Sequence, residues 1–80
     1  MYIRAQVSLY PTESVDADHV INQSIQSLDA MNSEYHVGPV STELVGQPEE
    51  VWRGLRRMFE AATTRGGEVS MVVTVTNSQP

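Results

Sequence analysis

The chain has no cysteine and only two histidines among its 80 residues. A disulfide framework and a thiolate metal site are thereby excluded, and His19 and His36, isolated from one another, are too few to hold a metal by themselves. Basic side chains are scarce as well: five against ten acids, a formal net charge of -5. Nucleic-acid binding needs a basic surface that displaces counterions, so a nucleic-acid partner is not expected. The acidic balance suits a cation better, or serves solubility alone. No apolar run is long enough to cross a membrane. The N-terminal MYIRAQVSLYP alternates apolar and polar residues where a secretory leader would set a basic segment before an apolar one, so it reads as part of the fold. A soluble, cytoplasmic protein is expected.

The length implies one small domain spanning residues 1–80. A domain of this size buries only roughly 60 to 65% of the surface its unfolded chain exposes. Its core is thin, and association into an oligomer is expected.

Along the chain, Tyr2 to Tyr10 sets Ile3, Ala5, Val7 and Leu9 against Arg4, Gln6, Ser8 and Tyr10, the period of a half-buried strand that Pro11 ends. Thr12 to Asp18 offers oxygen side chains to cap a helix of about four turns with apolar positions Val20, Ile21, Ile25, Leu28 and Met31. Glu34 to Val37 predicts a short strand closed by Gly38-Pro39, and Ser41 to Val45 its antiparallel partner. Gly46 stops that strand. Pro48 with Glu49 and Glu50 then opens a second helix, placing negative charge where the helix dipole favours it. Its predicted buried stripe is Val51, Trp52, Leu55, Met58, Phe59 and Ala62, with Arg53, Arg56, Arg57 and Glu60 on a solvated face. Gly66-Gly67 supplies a left-handed helix cap, and Glu68 to Thr76 is the strongest strand pattern in the chain.

The resulting order, β-α-β-β-α-β, predicts an α+β, ferredoxin-like fold: a four-stranded antiparallel sheet with two helices on one face. The other face stays uncovered. There Arg4, Gln6, Ser8 and Tyr10 of the first strand would meet Thr74 and Thr76 of the last, on adjacent central strands, with Ser41 and Glu43 joining from the third. Such a face is ordinarily just the wet side of an antiparallel sheet; its other readings are a polar site or a subunit contact.

Three stretches, AQVSLYP, YHVGPVSTELVGQPEEVWRGLRRMFEAA and GGEVSMVVTVTN, together resemble the YkoF-like family of thiamine- and hydroxymethylpyrimidine-binding proteins over nearly the whole chain. The most specific part is Gly38-Pro39-Val40-Ser41-Thr42-Glu43 followed by Gly46, backed by Thr74-Val75-Thr76-Asn77. The resemblance implies a ferredoxin-like domain that binds thiamine or its pyrimidine precursor without catalysis or cofactor and assembles into dimers or tetramers. A single copy is similar to the one-domain form. The tail Asn77-Ser78-Gln79-Pro80 departs from the family's ending between its asparagine and proline.

An aminopyrimidine presents an exocyclic amine donor beside ring-nitrogen acceptors, and its site needs closely spaced groups of both kinds. Ser41, Thr42 and Glu43 supply that mixture, which Gln6, Ser8 and Asn77 can complete. A thiazolium cation would gain from a carboxylate or an aromatic face, for which Glu43, Tyr10, Tyr35 and Trp52 are available. The plainer roles stand beside these: Trp52 and Tyr35 as packing, Thr42 as a β-branched strand residue, Asn77 as a strand-ending turn, and His36 as a solvated edge residue.

Other functions of the same fold find no support. Acylphosphatases need a glycine-rich anion loop with arginine, where Tyr10-Pro11-Thr12-Glu13 is acidic. A tautomerase needs an N-terminal proline, where Tyr2 stands. Metal carriers need paired cysteines, and RNA binders need exposed aromatics in a basic sheet. The competing reading is an oligomeric interaction or regulatory module without a small-molecule ligand, although its face would be expected to be more apolar.

Overall fold

The computed structural model describes residues 1–11, 17–30, 34–38, 41–64 and 68–78. Most of the first helix's expected capping segment, Met31, Pro39, Val40 and the Gly66-Gly67 cap lie outside them. The elements are β1 (Ile3–Pro11), α1 (Ala17–Gln26) continuing into a 3₁₀ turn (Ser27–Ala30), β2 (Glu34–Val37), β3 (Thr42–Gly46), α2 (Pro48–Thr63) and β4 (Val69–Thr76). Their strands form one antiparallel sheet in the order β2-β3-β1-β4. This is the ferredoxin-like β-α-β-β-α-β arrangement.

Alternation along β1 builds the core. Ile3, Ala5 and Val7 are buried together with Leu44 of β3, Leu28 of the 3₁₀ turn and Val51, Leu55 and Met58 of α2, while Leu9, Tyr35, Met71 and Val73 pack around them half-buried. The helix α2 begins as its sequence predicts. Gln47 is extended and provides no side-chain cap, Pro48 occupies the first turn with Glu49 and Glu50, and the Val51 N–H donates to the Gln47 carbonyl at 3.0 Å. Gly54 allows the helix to approach the sheet closely, since a Cβ there would stand 2.6 Å from Leu44 Cδ2. The Arg57 guanidinium Nε donates to the Ser27 carbonyl at 3.2 Å, tying α2 to the turn that follows α1.

Three expectations are corrected. Trp52 and Phe59 do not belong to the buried stripe of α2: they are 55% and 39% exposed. Residues Val51, Leu55, Met58 and Ala62 already define the face on the sheet, and at about 100° per residue positions 52 and 59 fall on its flank. The last strand is also not central. β4 pairs with β1 alone and forms one edge of the sheet, β2 the other. Its residues Thr74 and Thr76 do share the open face with their partners Gln6 and Arg4, in register. The first helix proper is shorter than four turns, because its last stretch, Ser27–Ala30, tightens to a 3₁₀ turn.

Candidate functional site

The β1–β3 register pairs Val7 with Thr42 and Gln6 with Glu43. Because successive side chains leave a strand on opposite sides, these two pairs lie on opposite faces of the sheet. Thr42 is on the helix-covered side and buried; Glu43 is on the open side and half-buried. The tripeptide Ser41-Thr42-Glu43, contiguous in sequence, is thus divided between two surfaces.

On the helix-covered side, a cavity of about 280 Å³ opens between α1 and the sheet. Val7, Leu9, Ile21, Ile25 and Met58 give it apolar walls, with Val37 and Gly38 bordering it from the β2–β3 hairpin. Polar residues in its lining are Asn22, Ser41, Thr42 and Ser8, the last of which alternates with Val7 and Leu9 along β1 and so sends its side chain to the open face. Thr42 is 5% exposed, and Asn22 is exposed on α1. The hairpin end is held by the Gly38 N–H, which donates to the Ser41 carbonyl at 2.8 Å. This places Ser41 at the cavity border. The volume lies near the lower end of the roughly 300 to 1,000 Å³ of small-molecule pockets and accommodates a single heteroaromatic ring.

The open face carries a different constellation. Across the four strands, His36, Glu43, Gln6 and Thr74 occupy one row of register. The Glu43 carboxylate accepts a hydrogen bond from Arg4 at 3.1 Å, with both side chains about one-third exposed. Its charge is therefore already matched. His36 lies 3.6 Å from Glu34 on the exposed edge. No group of three or more potential metal ligands occurs among the described residues.

Of the expected site residues, Ser41 and Thr42 come together at the cavity, which Ser8 borders from β1 with its side chain on the open face. Gln6 and Glu43 are brought together on the open face. Asn77 is exposed just beyond Thr76, where the Ser78 N–H donates to the Thr76 hydroxyl at 3.0 Å. Thr76 pairs with Arg4, four residues along β1 from Ser8, which separates the two ends by about 13 Å of strand. The aromatic candidates are dispersed: Tyr35 packs against the core, Tyr10 faces Ser70 across β1 and β4, and Trp52 lies on the flank of α2. Asn22 is the cavity residue that sequence reading passed over. Its signal was there, in a polar residue beside Ile21 and one turn before Ile25 on the apolar side of α1.

No described helix is long and apolar enough to cross a membrane. The sequence model of the YkoF-related family matches residues 2–80. No curated protein matches the chain in sequence. Among solved structures, a Streptococcus pneumoniae protein is 25% identical with a TM-score of 0.90, the match covering 99% of this chain and 89% of that one. A domain of unknown function from Bacillus cereus has 20% identity and a TM-score of 0.86, over 98% of this chain and 77% of that one. A Thermotoga maritima protein assigned provisionally to thiamine biosynthesis or salvage has 16% identity and a TM-score of 0.83, over 98% and 85%. At such identities the last two establish the shared fold.

Proposed function

We propose that this chain, which belongs to the YkoF-related family, is a non-catalytic binder of thiamine or its hydroxymethylpyrimidine precursor, seated in the cavity between α1 and the sheet. The observation that carries this reading is the meeting of Ser41 and Thr42 with Asn22 at a half-open, otherwise apolar cavity of single-ring size. Hydroxyls donate and accept, and a carboxamide presents a donor beside an acceptor. Together they complement the amine and ring nitrogens of an aminopyrimidine. The apolar walls remove the ring faces from water. The designation of the Thermotoga maritima protein points the same way.

The described cavity lining contains no charged side chain. The pyrimidine half is therefore the part held, and a thiazolium ring, where present, remains toward solvent. Self-association in the cytoplasm belongs to the same proposal, since a domain with so thin a core gains from covering further surface.

The test is thermal unfolding of the purified, ligand-free protein with hydroxymethylpyrimidine, thiamine and a thiazole alone. A ligand at 100 times its dissociation constant adds about 2.7 kcal/mol, which raises the melting temperature of so small a domain by several degrees. Stabilisation by both pyrimidine compounds and none by the thiazole is expected. Absence of any shift would overturn the binder in favour of a ligand-free interaction module.

A further inference from the structure

The chain contains no lysine, and its basic side chains are five arginines. Arg65 lies outside the described residues; none of the other four lines the cavity between α1 and the sheet. Arg4 stands on the open face, paired with Glu43 at 3.1 Å. Arg53 and Arg56 are exposed on α2, where they pair with Glu50 at 3.7 Å and Glu60 at 3.2 Å. Arg57 gives its Nε–H to the Ser27 carbonyl at 3.2 Å. Neither histidine lines the cavity.

Phosphate groups are ordinarily held by arginine, by lysine or by free backbone N–H groups at a helix start. The backbone nearest the cavity is otherwise engaged. The Gly38 N–H already donates to the Ser41 carbonyl at 2.8 Å. Helix α1 meets the cavity through Ile21, Asn22 and Ile25, past the first turn that begins at Ala17, and the helix dipole acts within that turn. Around that helix start the sequence places three acids, Glu13, Asp16 and Asp18.

We propose that the cavity takes the pyrimidine as its free alcohol and rejects the phosphate ester of its hydroxymethyl group. The inference rests on the aminopyrimidine reading of the cavity and adds a selectivity to it. On that ring the hydroxymethyl carbon adjoins the carbon that bears the amine. A ligand whose amine is met by Asn22, Ser41 and Thr42 therefore carries any phosphate to the same polar end of the cavity. Hydroxyls and a carboxamide serve a neutral alcohol. A phosphate dianion in their place is partly withdrawn from water with no cation among the described lining residues, in a protein of net charge -5. Esterification of the hydroxyl then releases the ligand.

Thiamine monophosphate is a different case. Its phosphate lies beyond the thiazolium, on the part left toward solvent, and the ring's own positive charge stands between phosphate and protein. Its penalty is correspondingly small.

Calorimetric titration of the ligand-free protein with hydroxymethylpyrimidine, its phosphate monoester, thiamine and thiamine monophosphate tests the selectivity. The pyrimidine ester should bind roughly a hundredfold more weakly than the alcohol, as befits a desolvated charge left unpaired. Thiamine monophosphate should stay within about fivefold of thiamine. High salt should leave the first gap largely in place, because screening does not repair lost hydration. Val37→Arg, at a residue 56% exposed on the cavity border, supplies a cation and should return about tenfold of the ester's affinity. If neither alcohol nor ester binds, the aminopyrimidine reading falls and this inference with it. Alcohol and ester bound alike would leave that reading standing and overturn the selectivity alone. So would rejection of both esters with a gap that closes in high salt, or a Val37→Arg variant that refuses the ester as strongly as the parent.

Discussion

Thr42 lies directly across the β1–β3 ladder from Val7, on the side of the sheet that the helices cover. One residue along each strand, Glu43 lies across from Gln6 on the side they leave open. A one-residue step in sequence therefore separates a group at the apolar cavity from a group ion-paired on a polar surface. The two have different expected consequences when altered.

Replacing Thr42 with Val keeps shape and removes the hydroxyl. The apo protein should melt within a few degrees of the parent, while the stabilisation by hydroxymethylpyrimidine shrinks by the worth of one hydrogen bond, about 0.5 to 1.5 kcal/mol. Parallel melting curves with and without the compound measure both numbers. An undiminished ligand shift would remove Thr42 from the site.

Glu43→Gln should leave that ligand shift intact. It removes the Arg4 ion pair, whose side chains are about one-third exposed, and such a pair contributes about 0 to 1 kcal/mol. Urea unfolding at low and high salt reports the loss, which should narrow as salt screens the parent's pair.

Met58 is 1% exposed and borders the cavity. Met58→Ala should cost about 2 to 5 kcal/mol, because the wall beside an existing void cannot collapse fully onto the deletion. The unfolding midpoint in urea checks it.

Gly54→Val should destabilise by about 1 to 3 kcal/mol or more despite removing a helical glycine. The added Cβ would stand 2.6 Å from the side chain of Leu44, itself 1% exposed and unable to move far. Gly54→Ala should be milder, since a helix-propensity gain of about 1 kcal/mol offsets part of the contact.

The two faces of α2 should differ sharply. Leu55→Ala, at a residue 4% exposed, should cost about 2 to 5 kcal/mol. Trp52→Ala, at a residue 55% exposed, should fall within about 1 kcal/mol of the parent. Paired thermal scans of the two variants decide whether the flank position read from the structure is the one populated in solution.

The sequence alone determined the order of elements, and for a local reason. The period-two pattern of β1 and β4, the Pro48-Glu49-Glu50 helix start and the Gly46 break are written in neighbouring residues, which set backbone preference and burial pattern without reference to the rest of the chain. The same patterns placed Ser41 and Thr42 among residues of interest. What they could not convey was which side of the sheet carried a void, because a cavity is what remains when Ile21 and Ile25 of α1 meet Val7 and Leu9 of β1, residues distant in sequence. The burial of Trp52 failed for a related reason: an apolar residue on a helix declares only that it can be buried, while Gly54 and its close contact with Leu44 decide which face reaches the sheet. Strand order, too, belongs to tertiary structure. β1 and β4 carry similar alternation, yet one lies between two neighbours and the other has one, since hydrogen bonding between strands is a choice among distant partners that no strand's own residues specify.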